Sequence, residues 1–242
     1  MTQIYPDHPN LNDNYAPLRM ECEVNDLIVE GEIPQDLYGS FYRNGPDPQF
    51  PPLGQYHWFG GDGMVHAFHF ENGKISYLNR WSRTSKWLQE RKAGKSLIDG
   101  LNPMNSDPQW NPEGSDGTAN TNIIFHAGKL LALEEGHVPF ELDPITLESK
   151  GAYDYGGKLK SPMTAHPKID PVSGDMYGFS YTAENFFSSK MSYFVINSLG
   201  ELKTYEEFEA PFASMVHDFM VTDQHIIFPI FPLTIDFDRV VK

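Results

Sequence analysis

At 242 residues and a formal charge of −15, the chain is 40% hydrophobic and 14% aromatic, a globular composition able to bury a sizeable core. It has no apolar run of about 18 residues that could cross a bilayer as a helix, and its negative charge opposes general nucleic-acid binding unless a local basic patch overrides it. The start, Met1 to Asp7, lacks the basic and apolar runs of a secretory signal, and the one cysteine, Cys22, has no internal partner, so a cytoplasmic location is expected.

In chain order, a polar segment with His8 is expected to be loosely held. The apolar segments that follow are short, β-branched or aromatic, and bounded by Gly and Pro, which is the pattern of many short strands. They are "GSFYR" (39–43), "VHAFHF" (65–70), "KISYLNR" (74–80), "NIIFH" (122–126), "KLLALE" (129–134), "DMYGFSY" (175–181), "MSYFVIN" (191–197) and "HIIFPI" (225–230). Ahead of the second, "GGDGM" (60–64) leads into a strand, so it lacks the helix N-terminus of a phosphate cradle and reads as a tight turn. Helical periodicity is confined to 83–98, where Arg83, Lys86, Arg91, Lys92 and Lys95 cluster. That stretch reads as a solvated amphipathic helix held by Trp87, Leu88 and Leu97, with contact to an anionic surface as the alternative.

Four strands follow similar polar or Gly-containing turns, in "ENGKISYL", "HAGKLLAL", "VSGDMYGF" and "VTDQHIIF", which start at residues 71, 126, 172 and 221, intervals of 55, 46 and 49. A period near fifty predicts an all-β chain of β-propeller type, with a sandwich or jelly roll as the alternative. His166 in "TAHPKID" and His217 in "MVHDF" lie 51 residues apart. In a radial repeat, equivalent positions of successive blades face one axis, which makes these two candidate partners. Converging imidazoles without a thiolate suit iron or zinc, although a catalytic ion usually takes three or more protein ligands. Each histidine read alone is an ordinary, partly buried ring. Asp218 is a poor partner for His217, because neighbours in a strand point to opposite faces. His66 and His69 face opposite sides by the same rule, and His57, His126 and His137 read as structural or exposed. The acidic pairs Glu134–Glu135 and Glu206–Glu207 raise a propeller glycosidase, but sequence neighbours do not face each other across a substrate. There is no Gly-x-Ser-x-Gly elbow.

These segments together resemble the carotenoid cleavage oxygenases. The similarity runs through "GEIPQDLYGSFYRNGPDPQF" (31–50), "HWFGGDGMVHAFHF" (57–70), "RKAGKSL" (91–97), "GTANTNIIFHAGKLLALEEGHVPFELDPITLE" (117–148), "TAHPKIDPVSGDMYGF" (164–179) and "MVHDFMVTDQHIIFPI" (215–230). The resemblance implies a seven-bladed propeller whose axial iron is held by four histidines, the first two being His166 and His217. It implies oxidative cleavage of a conjugated carbon–carbon double bond by O2 to two carbonyl products, with Fe(II) and no organic cofactor. The implied partners are an apolar small molecule and O2, not nucleic acid, with peripheral membrane contact through 83–98 left open.

The match ends partway through the family's domain, so residues 1–242 read as a single incomplete propeller, its N-terminal part. The other two histidines, and the carboxylates that orient the ligands, are expected in the remainder; His225 is too near His217 to substitute. Such a chain is expected to self-associate, aggregate or fold partly, and to show no turnover alone. In stilbene cleavers a tyrosine follows the "AGKSL" segment and a lysine addresses the substrate phenol. Residues 98–102 hold no tyrosine and Glu134 stands at the lysine position, which favours an apocarotenoid-like substrate. A stilbene or phenylpropene substrate, or a non-catalytic binding module, is the alternative. Phe59 matches a position that packs on substrate in stilbene cleavers; core packing is its other reading.

Overall fold

The computed structural model describes residues 4–100, 103–185 and 188–232. The strands form four antiparallel sheets. The first runs in the order β1 (Glu23–Val24), β4 (Lys74–Trp81), β3 (Gly63–Glu71), β2 (Gly39–Pro46). The second contains β5 (Asn122–His126), β6 (Lys129–Leu133), β7 (Phe140–Leu142) and β8 (Ser149–Ala152), and the third β9 (Lys168–Ile169), β10 (Met176–Ser180), β11 (Lys190–Ile196) and β12 (Leu202–Glu209). A fourth begins with β13 (Met220–Val221) and β14 (Ile226–Ile227).

Strand β6 shows why the sheets stack. Its sequence, Lys-Leu-Leu-Ala-Leu, is apolar on both faces, so both must be covered. Leu130 and Ala132 pack against Val65, Ala67 and Leu78 of the first sheet. Leu131 and Leu133 pack against Met176, Phe194 and Ile196 of the third. Phe179 and Met191 then turn the third sheet's other face toward Val216 and Phe219, which lead into the fourth. Successive meanders packed face to face in this way are the blades of a propeller, here three complete blades and the first two strands of a fourth.

The turn residues explain the repeated hairpins. Asn72–Gly73 between β3 and β4, and Ala127–Gly128 between β5 and β6, all have φ between 48° and 77°, the two-residue turn whose twist matches the strands it joins. The period needs one correction. The hairpins starting at 126, 172 and 221 join the first two strands of their blades, but the one at 71 joins β3 to β4, the second and third strands of the first meander. The interval of 55 therefore spans non-equivalent hairpins, and the repeat holds for the last three.

Two further expectations change. Helix α1 (Ser85–Ala93) forms where expected, capped by the Thr84 hydroxyl and ended by Gly94 in the left-handed conformation. It is a solvated basic face only in part. Lys86 is buried and bonds Asp62 and Glu90 at 2.8 and 2.9 Å, and Arg83 and Lys95 pair with Glu21 and Asp107, whereas Arg91 and Lys92 are exposed; of the expected anchors Trp87 and Leu97 are buried and Leu88 is 53% exposed. The "GGDGM" turn thus presents a buried carboxylate, Asp62, to the helix. The N-terminal segment is also pinned: Tyr5 donates to the Pro48 carbonyl at 2.6 Å, the Leu18 N–H donates to Asp47 at 2.9 Å, and Leu11 is buried. No helix among the described residues is long and apolar enough to cross a membrane.

Candidate metal centre

In an antiparallel hairpin, the entry to the first strand and the exit from the second lie at the same end. His166 stands two residues before β9 and His217 three before β13, the entries to the third and fourth blades. Glu135 follows β6 and Tyr181 follows β10, the exits of second strands in the second and third blades. All four reach the same end of the blade stack, and there they meet.

His166 and His217 place their Nε2 atoms 3.0 Å apart, with ring planes inclined at 70°. The Glu135 carboxylate accepts from His217 Nδ1 at 2.8 Å through Oε2, and from the Tyr181 hydroxyl at 2.8 Å through Oε1. The bond at Nδ1 fixes the His217 tautomer and leaves its Nε2 lone pair bare on the side facing His166. Burial and the neighbouring His217 push the His166 imidazole below its usual pKa, against the pull of Asp218, which favours the neutral ring that a metal needs.

Both loops are held in place. The Asn122 amide donates to the Ala165 carbonyl at 2.8 Å, and the His166 N–H donates to the Thr164 hydroxyl at 3.1 Å. Residues 214–219 are not a strand, so face parity does not govern the His217–Asp218 step. Val216 and Phe219 are buried on either side and hold His217 out, 52% exposed at its side chain. Asp218 turns away to Lys168 at 2.7 Å.

With the His217 proton on Nδ1, the 3.0 Å contact is an N–H···N bond donated by His166 Nε2, and a cation that displaced that proton would meet both rings. The two rings approach closely enough that one ion would take an Nε2 ligand from each. Among the described residues, no three His, Cys, Asp or Glu side chains form a cluster able to hold an ion. Carboxylates behind the candidate ligands are expected from the sequence only in the remainder of the domain; the structure places one within this chain, Glu135 on His217, supported by Tyr181. A carboxylate leaving the second strand of the blade before His166 was the available signal.

The remaining candidates separate. Phe59 is 69% exposed, its ring against His57 and its carbonyl held by Asn120. Glu134 diverges from Glu135 to take the Thr118 hydroxyl at 2.9 Å and His137 Nδ1. Against the opposition of burial, that carboxylate raises the His137 pKa. Glu206 and Glu207 lie on β12, the outer strand of the third blade, so neither acidic pair faces across a cleft. His66 bonds Tyr77 on one side of β3, whereas His69 bonds Ser40 and the Ile145 carbonyl on the other. His225 lies in the β13–β14 turn, its N–H on the Thr222 hydroxyl. Of the tyrosine region, residues 101–102 lie outside the described residues.

Comparison with known proteins shows the family. The family model described as retinal pigment epithelial membrane protein matches residues 15–242. A lignostilbene-α,β-dioxygenase isozyme of Sphingomonas paucimobilis is 44% identical over 97% of this chain and 48% of its own, and a resveratrol cleavage oxygenase of Aspergillus fumigatus is 42% identical over 99% and 48%. The crystal structure of Pseudomonas brassicacearum lignostilbene dioxygenase superposes with a TM-score of 0.92 at 40% identity, covering 98% of this chain and 50% of that one. Synechocystis apocarotenoid oxygenase gives 0.74 at 32%, covering 88% and 47%. The chain spans about half the length of these relatives. With three blades and the start of a fourth, two histidines at successive blade entries and a family match over nearly the whole length, this chain belongs to the retinal pigment epithelial membrane protein and carotenoid cleavage oxygenase family.

Proposed function

We propose that residues 1–242 form one incomplete propeller domain, contributing the first blades of a non-heme iron oxygenase that cleaves a conjugated carbon–carbon double bond with O2. One observation carries this reading: His166 and His217 bring their Nε2 atoms to 3.0 Å while Glu135 holds the far nitrogen of His217. Iron bound there supplies the one-electron and O2 chemistry that side chains lack. The chain's own residues set the site up for it. Glu135 accepts a hydrogen bond from His217 Nδ1–H and fixes the tautomer, and Asn122 and Thr164 hold the loop of His166. Phe59 offers an exposed apolar ring for a hydrophobic substrate. A cytoplasmic site is consistent with the unpaired Cys22 thiol, which lies against Asn79.

An apocarotenoid-like substrate suits Glu134, which stands where stilbene cleavers carry a phenol-binding lysine and is already bonded to Thr118 and His137. A stilbene or phenylpropene substrate is the second reading, favoured by the higher identity and TM-score of the stilbene-cleaving relatives. Two imidazoles are fewer than the ligands of a typical catalytic metal site, so the 242-residue chain alone is expected to turn over nothing.

The test supplies the protein carrying this sequence with Fe(II), O2 and, in turn, an apocarotenal, a hydroxystilbene and isoeugenol, and measures carbonyl products. Product from one of them, abolished by His166→Ala and by His217→Ala, is the expected result. Cleavage that survives both substitutions and iron chelation overturns the proposal; iron-free binding without cleavage supports a non-catalytic module instead.

A further inference from the structure

Glu135 can hold His217 only if its own carboxylate is held. A glutamate has three side-chain torsions and, free in a turn, visits several rotamers. Here one oxygen is occupied by His217, and the other accepts the Tyr181 hydroxyl at 2.8 Å. The two residues come from equivalent places in neighbouring blades, the exits of β6 and β10, so the contact also ties the second blade to the third at the end where the histidines sit. Burial and the adjacent Glu135 carboxylate hold the phenol well above its usual pKa, so it is a hydrogen-bond donor at every working pH.

We propose that Tyr181 is a positioning residue: by donating to Glu135 it locks the carboxylate that keeps His217 as the Nδ1–H tautomer, with Nε2 directed toward His166. This rests on the metal reading above for its purpose, but its geometric content stands on the metal-free protein. The Tyr181 hydroxyl reaches His217 through Glu135, to which it donates.

Two measurements on the 242-residue chain separate the claims. Two-dimensional 15N–1H correlation of the imidazole rings reports the His217 tautomer without metal. The wild type is expected to show Nδ1–H alone, and Tyr181→Phe a mixture of tautomers; the same single tautomer in both overturns the proposal. Cobalt(II) titration then measures affinity in the wild type, Tyr181→Phe, Glu135→Gln, the double variant and His217→Ala. Loss of an outer partner of a ligating histidine typically costs about 10–100-fold in metal affinity. Being one bond further out, Tyr181→Phe is expected to cost about 3–10-fold in the wild-type background and nothing further in the Glu135→Gln background. Additive losses in the two backgrounds indicate a merely structural role and overturn the proposal. Cobalt binding indifferent to His217→Ala removes the metal reading, while the tautomer result still decides for or against Tyr181. Thermal melting of each variant identifies one that is misfolded. Should Tyr181→Phe be unfolded, Tyr181→Leu, which likewise removes the donor, takes its place: a mixture of His217 tautomers is expected, and the single wild-type tautomer overturns the proposal.

Discussion

At residue scale, the carboxylates divide by what faces them. Glu135 is held at both oxygens, and its replacement by Ala is expected to weaken cobalt(II) binding about 10–100-fold, with a binding isotherm as the measure. Asp47 is the opposite case. Burial, with Asp62 nearby, pushes it up to about 6, only partly offset by the Leu18 N–H, and its Oδ1 has no partner. The folded state therefore keeps a proton that the unfolded chain releases near the usual carboxylate value. The contribution of Asp47 to stability falls as pH rises between about 4 and 6, and is constant on either side. Asp47→Asn keeps an acceptor for Leu18 and removes the buried charge. Melting curves should show a gain on the order of 1–2 kcal/mol at pH 7.5, after allowance for partial solvent screening, and none near pH 3.5. A variant less stable than wild type at pH 7.5 would contradict this.

At element scale, α1 is anchored by charge. Lys86 sits between Asp62 and Glu90, and Glu90 in turn accepts the Leu97 N–H at 2.9 Å. Burial works against the Lys86 ammonium, but the two carboxylates more than compensate and raise its pKa. Lys86→Met leaves two buried carboxylates unpaired and is expected to cost about 3–5 kcal/mol, measured by urea unfolding. Beside Asp62, Gly63 donates its N–H to the Thr118 carbonyl at 2.9 Å, and a Cβ there would overlap the Ala119 carbonyl. Gly63→Ala should cost about 1–3 kcal/mol through that clash, while Gly128→Ala, at an open turn, meets nothing and costs only its positive φ. Of these elements, the alternating strands 39–43, 65–70 and 74–80 were legible in the sequence because one strand face is buried. Strand β12 was not: Lys203, Glu206, Glu207 and Glu209 disguise it, as charge suits an outer edge that must not pair further.

At the scale of the whole molecule, one face of the first blade is covered throughout by the second blade, and the other only at the end where Trp87 of α1 packs on Met64 and Trp81. Val65, Ala67 and Leu78 meet the second blade, whereas Phe41, Phe68 and Tyr77 form an aromatic patch on the opposite face with Phe41 58% exposed. The chain is expected to self-associate through this face at micromolar concentration, and Phe41→Glu to shift it toward monomer in sedimentation velocity. A monomeric wild type under the same conditions would argue that the patch is tolerated.

By itself the sequence determined the blade repeat, the β content and the pairing of His166 with His217, because period and alternation are local properties that a chain carries wherever it folds. Only the tertiary structure decided which groups stand behind those histidines. Glu135 is 82 residues from His217 and 46 from Tyr181, and nothing in their local patterns marks them as neighbours. Blade stacking brings them together, since strand exits of adjacent blades meet at one end. Within the first blade, the return of the chain along β4 lays a basic-looking helix against Asp62, from a turn that had looked only tight, and makes a buried ion triad.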